Sequence, residues 1–138
     1  MPDPMTTETA PIPAEQLAEL AAQYAIDKKA IDVITLDLRG VAGFADFFVI
    51  CTGNTDRQVK AVHDAIHFGL KKEHDTLPRR TEGAAEARWV LLDYFDVIVH
   101  VFTPDARDFY RLEQLWGDVP KTEHEPGAED EVSEAASS

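Results

Sequence analysis

Three groups of residues in this chain could do chemistry. His63 and His67 stand four apart, a spacing that puts both rings on one face of a helix, where two imidazoles could seat a metal. The residues between them are Asp64, Ala65 and Ile66, so the glutamate that completes a zinc-protease motif is missing. A solvated helix face is the plainer reading. The carboxylates Asp37, Asp46 and Asp93 are a second group. Phosphoryl or nucleotidyl transfer needs two or three carboxylates converged on magnesium, and nothing in their spacing fixes these together. Gly53-Asn54-Thr55 is the third, placed where a strand should hand over to a helix N-terminus, a position that can hold a phosphate. Thr55 followed three residues later by Gln58 is also a capping box, and capping is the role assigned to both. Cys51 lies inside an apolar run and behaves as a small hydrophobe. There is no Ser/His/Asp constellation and no P-loop, so no catalytic residue, metal or cofactor is expected.

A second kind of site, for recognition, comes from the elements. Leu17, Leu20, Ala21 and Tyr24 repeat at helical spacing over residues 15–29. Ile34, Leu36 and Leu38 alternate with Val33, Thr35 and Asp37 in a half-buried strand. Phe47-Phe48-Val49-Ile50-Cys51 is continuously apolar, which suits a strand covered on both faces and central in its sheet. A helix follows from 56 to about 73, with Val59, Val62, Ile66 and Leu70 on one face. Its Phe68 falls opposite that stripe. A short edge strand is expected near 77–82, and two strong strands over 88–93 and 97–102. Pro104 at the first helical position starts a final helical segment carrying Phe109, Tyr110, Leu112, Leu115 and Trp116, with Trp116 expected to anchor the chain end in the core. The fold class is therefore α/β: one domain, a mixed sheet of about five strands flanked by helices.

Tyr94-Phe95 would be the loop of a hairpin that pairs 93 with 96, 91 with 98 and 89 with 100. One face then holds Val90, Leu92, Val97, Val99 and Val101, a purely aliphatic surface for a core. The other holds Trp89, Leu91, Asp93, Asp96, Ile98, His100 and Phe102. Tryptophan with flanking polar groups is the composition of a partner-binding surface, unless a terminal helix covers it. Arg107, Tyr110 and Glu113, three apart in turn, lie near one side of the last helix, framing that surface or tying the helix to the sheet.

The 138 residues make one domain and include 44% hydrophobic and 28% charged residues. Thirteen Lys and Arg against 26 Asp and Glu give a net charge of −13. That balance excludes a protein that wraps nucleic-acid phosphates and disfavours anionic membranes. A single cysteine excludes an internal disulfide and a cysteine-based zinc site, and points to a reducing cytoplasm. No apolar stretch is long enough to span a bilayer, and Met1 to Pro13 lacks the marks of a targeting peptide. Residues 1–14, with four prolines, and residues 121–138, with one lysine against six acids, offer too little apolar surface to offset ordering entropy, so both are expected to be disordered around a domain at 15–120.

Several segments, in order, carry a family resemblance: Asp46 to Val59, Glu82-Gly83, Trp89 to Tyr94, Val97 to Phe102, and Arg107 to Trp116. Together they span nearly all of 15–120, and the chain resembles the ribosomal silencing factor family, also called Iojap-like. The resemblance implies a translation repressor that binds the large ribosomal subunit, chiefly through that subunit's ribosomal protein number fourteen. There it sterically blocks joining of the small subunit and lowers translation under starvation. It further implies an α/β fold with a distant likeness to nucleotidyltransferases, a possible homodimer when free, no established catalysis and a binding-site tryptophan at Trp89. The candidate protein-binding set is Trp89, Leu91, Asp93, Tyr94, Asp96, His100, Arg107, Tyr110 and Glu113. An acidic body agrees with this partner, since it repels RNA and complements a basic ribosomal protein, leaving little direct nucleic-acid contact. A diverged magnesium-dependent nucleotidyltransferase and a large-subunit assembly factor are the alternatives. The family usually has glycine where this chain has Phe95, which places the hairpin turn in question.

Overall fold

A computed structural model describes residues 12–124. Helix α1 (Ala14–Asp27) leads through a tight turn into β1 (Ile31–Asp37), and a longer connection returns to β2 (Phe47–Thr52). Helix α2 (Asp56–His74) follows, then β3 (Arg80–Glu82), β4 (Trp89–Asp93) and β5 (Val97–Phe102). Two short helices, α3 (Pro104–Tyr110) and α4 (Leu112–Leu115), precede β6 (Lys121–His124). The six strands form one sheet in the order β3-β4-β5-β2-β1-β6. Only β2 and β5 run parallel; the other neighbours are antiparallel, so the sheet is mixed.

The apolar pattern explains the layers. All six residues of β2 are buried, as a central strand covered on both faces requires. Helices α1 and α2 cover one face: Ala18, Ala21, Ala22 and Ala25 of α1 and Val59, Val62 and Ile66 of α2 join one core with Val33, Val49 and Cys51 of β1 and β2 and the aliphatic row of β4 and β5. Small residues let the helices approach closely. Tyr24 lies across Gly69 of α2, where an added Cβ would sit 2.5 Å from the ring, and its hydroxyl donates to Glu73. Thr55 caps α2 by accepting from the Gln58 amide at 3.1 Å. Gln58 goes beyond capping: its amide group donates to the carbonyls of Lys28 and Lys29, which ties the α1–β1 turn to α2.

Four expectations need correction. Among the described residues the mixed sheet has six strands, and the tail begins later than expected: Lys121–His124, placed in the tail by their polarity, pair with Leu36 to Val33. An outermost strand needs only backbone partners on one side, so its side chains carry no alternation to detect. Residues 125–138 and 1–11 lie outside the described residues, and α1 begins at Ala14, inside the expected N-terminal segment. The final helical segment is broken at Arg111, which adopts a left-handed conformation at φ 48° and separates α3 from α4. The hairpin register also moves. Tyr94 pairs with Val97 around a Phe95-Asp96 loop, so Trp89 opposes Phe102 and Leu91 opposes His100. A shift of two leaves every side chain on the face expected for it. Phe95 takes φ 76°, the region that Gly adopts freely.

A candidate partner-binding face

The second face of the sheet is only partly covered. Leu112, Trp116 and Val119 pack on Ile34, Leu36, Phe48, Ile50 and Phe102, which closes the face over β1, β2 and the end of β5. Trp116 anchors the chain end as expected, meeting Phe48 and Phe44 edge-on at 6.2 and 6.3 Å. Over β4 and the start of β5 the cover given by the described residues thins, and Trp89, Leu91 and Ile98 are each left half-buried.

Trp89 begins β4 and is held from several sides. Gly83 (φ 82°) brings the β3–β4 connection so close to the Trp89 carbonyl that a Cβ there would lie 2.0 Å from its oxygen. The indole stacks on Phe102 at 5.0 Å and meets Tyr110 of α3 at a tilt of 46°, 4.4 Å between ring centres. Its N–H donates to Nδ1 of His100 at 3.1 Å. Because an indole N–H can only donate, His100 must be neutral, with its proton on Nε2. That ring is 4% exposed and packs against Phe48 at 4.6 Å. Burial pushes its pKa down to about 3, because no charge nearby compensates for lost hydration.

The structure thus brings Trp89, Leu91, His100 and Tyr110 together and separates the rest of the predicted set. Asp93 shares their face but is fully buried. Its Oδ2 lies 3.0 Å from Arg79 and 3.3 Å from Arg80, and its Oδ1 accepts from the Phe95 amide at 2.9 Å, so it is not free for a partner's cation. Tyr94 points to the helix-covered face and joins that core. Asp96 is exposed, but at the turn, the far end of the hairpin from Trp89. Arg107 and Glu113 pair with each other at 3.2 Å. Arg107 also donates to the Asp32 carbonyl and the Thr52 hydroxyl, at 2.6 and 2.9 Å, fastening α3 to the ends of β1 and β2. Both line a polar cleft of about 380 Å³ beside the aromatic surface.

Phe109 was missed. It is 76% exposed and meets Tyr110 edge-on at 5.0 Å. Its signal was present: two adjacent large rings on a helix lie about 100° apart, so both cannot face the same core. Elsewhere, His63 pairs with Asp64 at 2.9 Å, and its ring centre is 6.0 Å from that of His67. Asp37 is bound by Arg39 at 2.7 Å, and its hydrogen bonds to that guanidinium hold the carboxyl below the usual range. Among the described residues no group of three or more His, Cys, Asp or Glu is placed to hold a metal ion. Also among the described residues, no helix is long and apolar enough to cross a membrane.

Comparison with known proteins adds four findings. Residues 11–138 match the family described as "Ribosomal silencing factor during starvation". The chain is 44% identical over 111 residues to the Ribosomal silencing factor RsfS of Halalkalibacterium halodurans, covering 80% of this chain and 94% of that one. It is also 44% identical over 106 residues to the protein of the same name from Bacillus subtilis, covering 77% and 89%. A crystal structure of a Chromobacterium violaceum protein superposes with a TM-score of 0.74 at 35% identity, covering 77% of this chain and 88% of that one.

Proposed function

The chain belongs to the ribosomal silencing factor family, and from that premise we propose that it represses translation by binding the large ribosomal subunit through that subunit's ribosomal protein number fourteen. Bound there, it keeps the small subunit from joining by occupying space. No bond is made or broken, so the protein acts as a cytoplasmic ribosome-binding regulator and not as an enzyme. The observation that carries this reading is the half-covered aromatic face. The rings of Trp89 and Tyr110 meet at a tilt, 4.4 Å apart, beside Leu91 and Ile98, on the part of the sheet that the described residues leave half-covered. An aromatic anchor with a ring of apolar neighbours is the composition of an interface hot spot. A patch of this kind at the centre of about 800 Å² per partner is enough for a specific complex. The net charge of −13 favours encounter with a basic ribosomal protein over encounter with ribosomal RNA.

The test is the affinity of purified large subunits for Trp89→Ala. Loss of a hot-spot tryptophan is expected to weaken binding by at least about 2 kcal/mol, roughly 30-fold, while circular dichroism stays native. The same variant should lose its inhibition of subunit joining in a sucrose gradient. Wild-type affinity in a folded Trp89→Ala protein would refute the assigned face.

A further inference from the structure

The rings on the half-covered face form a chain that continues past the Trp89 cluster. Trp89 meets His100 at 6.0 Å between ring centres, His100 meets Phe48, and Phe44 stacks on Phe48 at 6.0 Å with 17° between the planes. Phe44 lies in the β1–β2 connection and is 53% exposed. That connection is built to hold it. The Leu38 carbonyl accepts from the amides of Val41 and Ala42, Gly40 takes φ 79° at no steric cost, and Ala42 and Ala45 pack into the core of this face. Trp116 backs the Phe44 ring edge-on. A single exposed apolar side chain needs no explanation. This one is fixed by its surroundings, left open on the outside and continuous with the Trp89 face, which is the form an interface anchor takes.

The sheet register places Phe44 relative to Trp89. Phe48 pairs with Ile98, and Trp89 opposes Phe102. Ile98 and Phe102 are four residues apart on β5, about 13 Å at the usual strand rise. Between these two levels the floor is made by Leu91 and Ile98, both half-buried. Trp89 and Tyr110 thus bound one end of an apolar strip, and Phe44 bounds the other. Acids stand at the Phe44 end. Asp96 is exposed two residues before Ile98, and the partly exposed Asp46 donates its amide to the Asp96 carbonyl at 2.7 Å. A specific complex covers about 800 Å² per partner, a patch about 28 Å across, which one end of the strip does not supply. We propose that Phe44 is a second anchor for the basic ribosomal protein assigned to the Trp89 face. The partner lays one segment along the β4–β5 hairpin. One of its apolar side chains meets Trp89 and Tyr110, a second meets Ile98 and Phe44, and a lysine or arginine lies over Asp96 and Asp46, where opposite charges steer the approach. The second anchor rests on the ribosome-binding reading and adds to it the length and charge pattern of the segment bound.

The experiment is hydroxyl-radical footprinting of the full chain, alone and with purified large subunits, with side-chain oxidation read by mass spectrometry. Oxidation of Phe44 is expected to fall several-fold together with that of Trp89. Phe68 of α2 and Leu77 after it, exposed away from this face, should keep theirs. This arm needs no variant, so it holds even where a substitution disturbs the fold. In a second arm, Phe44→Ala should weaken binding to large subunits by at least about fivefold with near-ultraviolet circular dichroism unchanged, and Asp96→Lys should slow association several-fold while dissociation changes less. Protection of Trp89 with Phe44 as reactive as in the free chain would overturn the second anchor and leave the Trp89 site standing. So would wild-type affinity in a folded Phe44→Ala protein, since the ring would then be covered without contributing. A Phe44 ring already shielded in the free chain and unchanged by subunits would give it to a second copy, again against the inference. Protection of neither residue would remove the Trp89 face and the second anchor together.

Discussion

Trp89 has one polar atom, and the fold turns it inward onto His100. A partner on the proposed face would therefore meet the indole by its faces and edge, not by its N–H. The bond also fixes the protonation of His100, because a charged imidazole would carry protons on both nitrogens and present none to accept. Its folded pKa of about 3 lies below the ordinary 6.5, so the unfolded chain takes up a proton that the folded ring refuses. Stability from this group is fully present above pH 6.5 and is lost as pH falls from there toward 3, at up to about 1.4 kcal/mol per pH unit. His100→Asn keeps an acceptor near Nδ1 but cannot titrate. Urea melts at pH 7.5 and 4.5 should show the variant losing clearly less stability than the wild-type protein; equal losses would mean that His100 is not the group responsible. Which residues lie on the Trp89 face was legible from alternation alone. The His100 tautomer was not: the expected pairing already set Trp89 beside His100, but alternation does not say which ring nitrogen meets the indole N–H.

Among the elements, the hairpin shows how far a pattern reaches. Alternation in β4 and β5 assigned both faces correctly, yet the turn lies one residue later than expected, with Phe95 in a region that glycine adopts at no steric cost. Left-handed strain of about 1–2 kcal/mol is offset in part by the contact of Arg79 with the Phe95 ring, worth about 0.5–1 kcal/mol at an exposed site. Phe95→Gly should therefore stabilise the protein by up to about 1 kcal/mol, seen as a higher thermal midpoint; a lower midpoint would mean the ring is held by more than these contacts. The α1–α2 crossing predicts the opposite sign for added bulk. Gly69→Val would drive a side chain into Tyr24, and overpacking of this kind costs roughly 1–3 kcal/mol, measurable by chemical denaturation. The long helices and four inner strands were readable because each buries a whole face. The break at Arg111 and the strand β6 were not, since a left-handed arginine and a polar edge strand leave no periodic trace.

For the molecule as a whole, helices take one side of the sheet, and the other divides between a covered half and an aromatic opening. The charge of −13 makes the proposed ribosome contact sensitive to salt. Raising ionic strength from about 0.05 M to about 0.3 M should slow association with large subunits more than it speeds dissociation, because screening acts mainly on the long-range encounter; stopped-flow mixing reads the two rates separately. β6 has a consequence of another kind. It lies against β1, the first strand of the sheet, and is itself the last strand of the described chain. During synthesis β1 emerges early and must wait for almost all the rest before its outer ladder closes. Until Lys121–His124 have left the ribosome, each nascent copy carries an open strand edge, and neighbours on one messenger could pair through it.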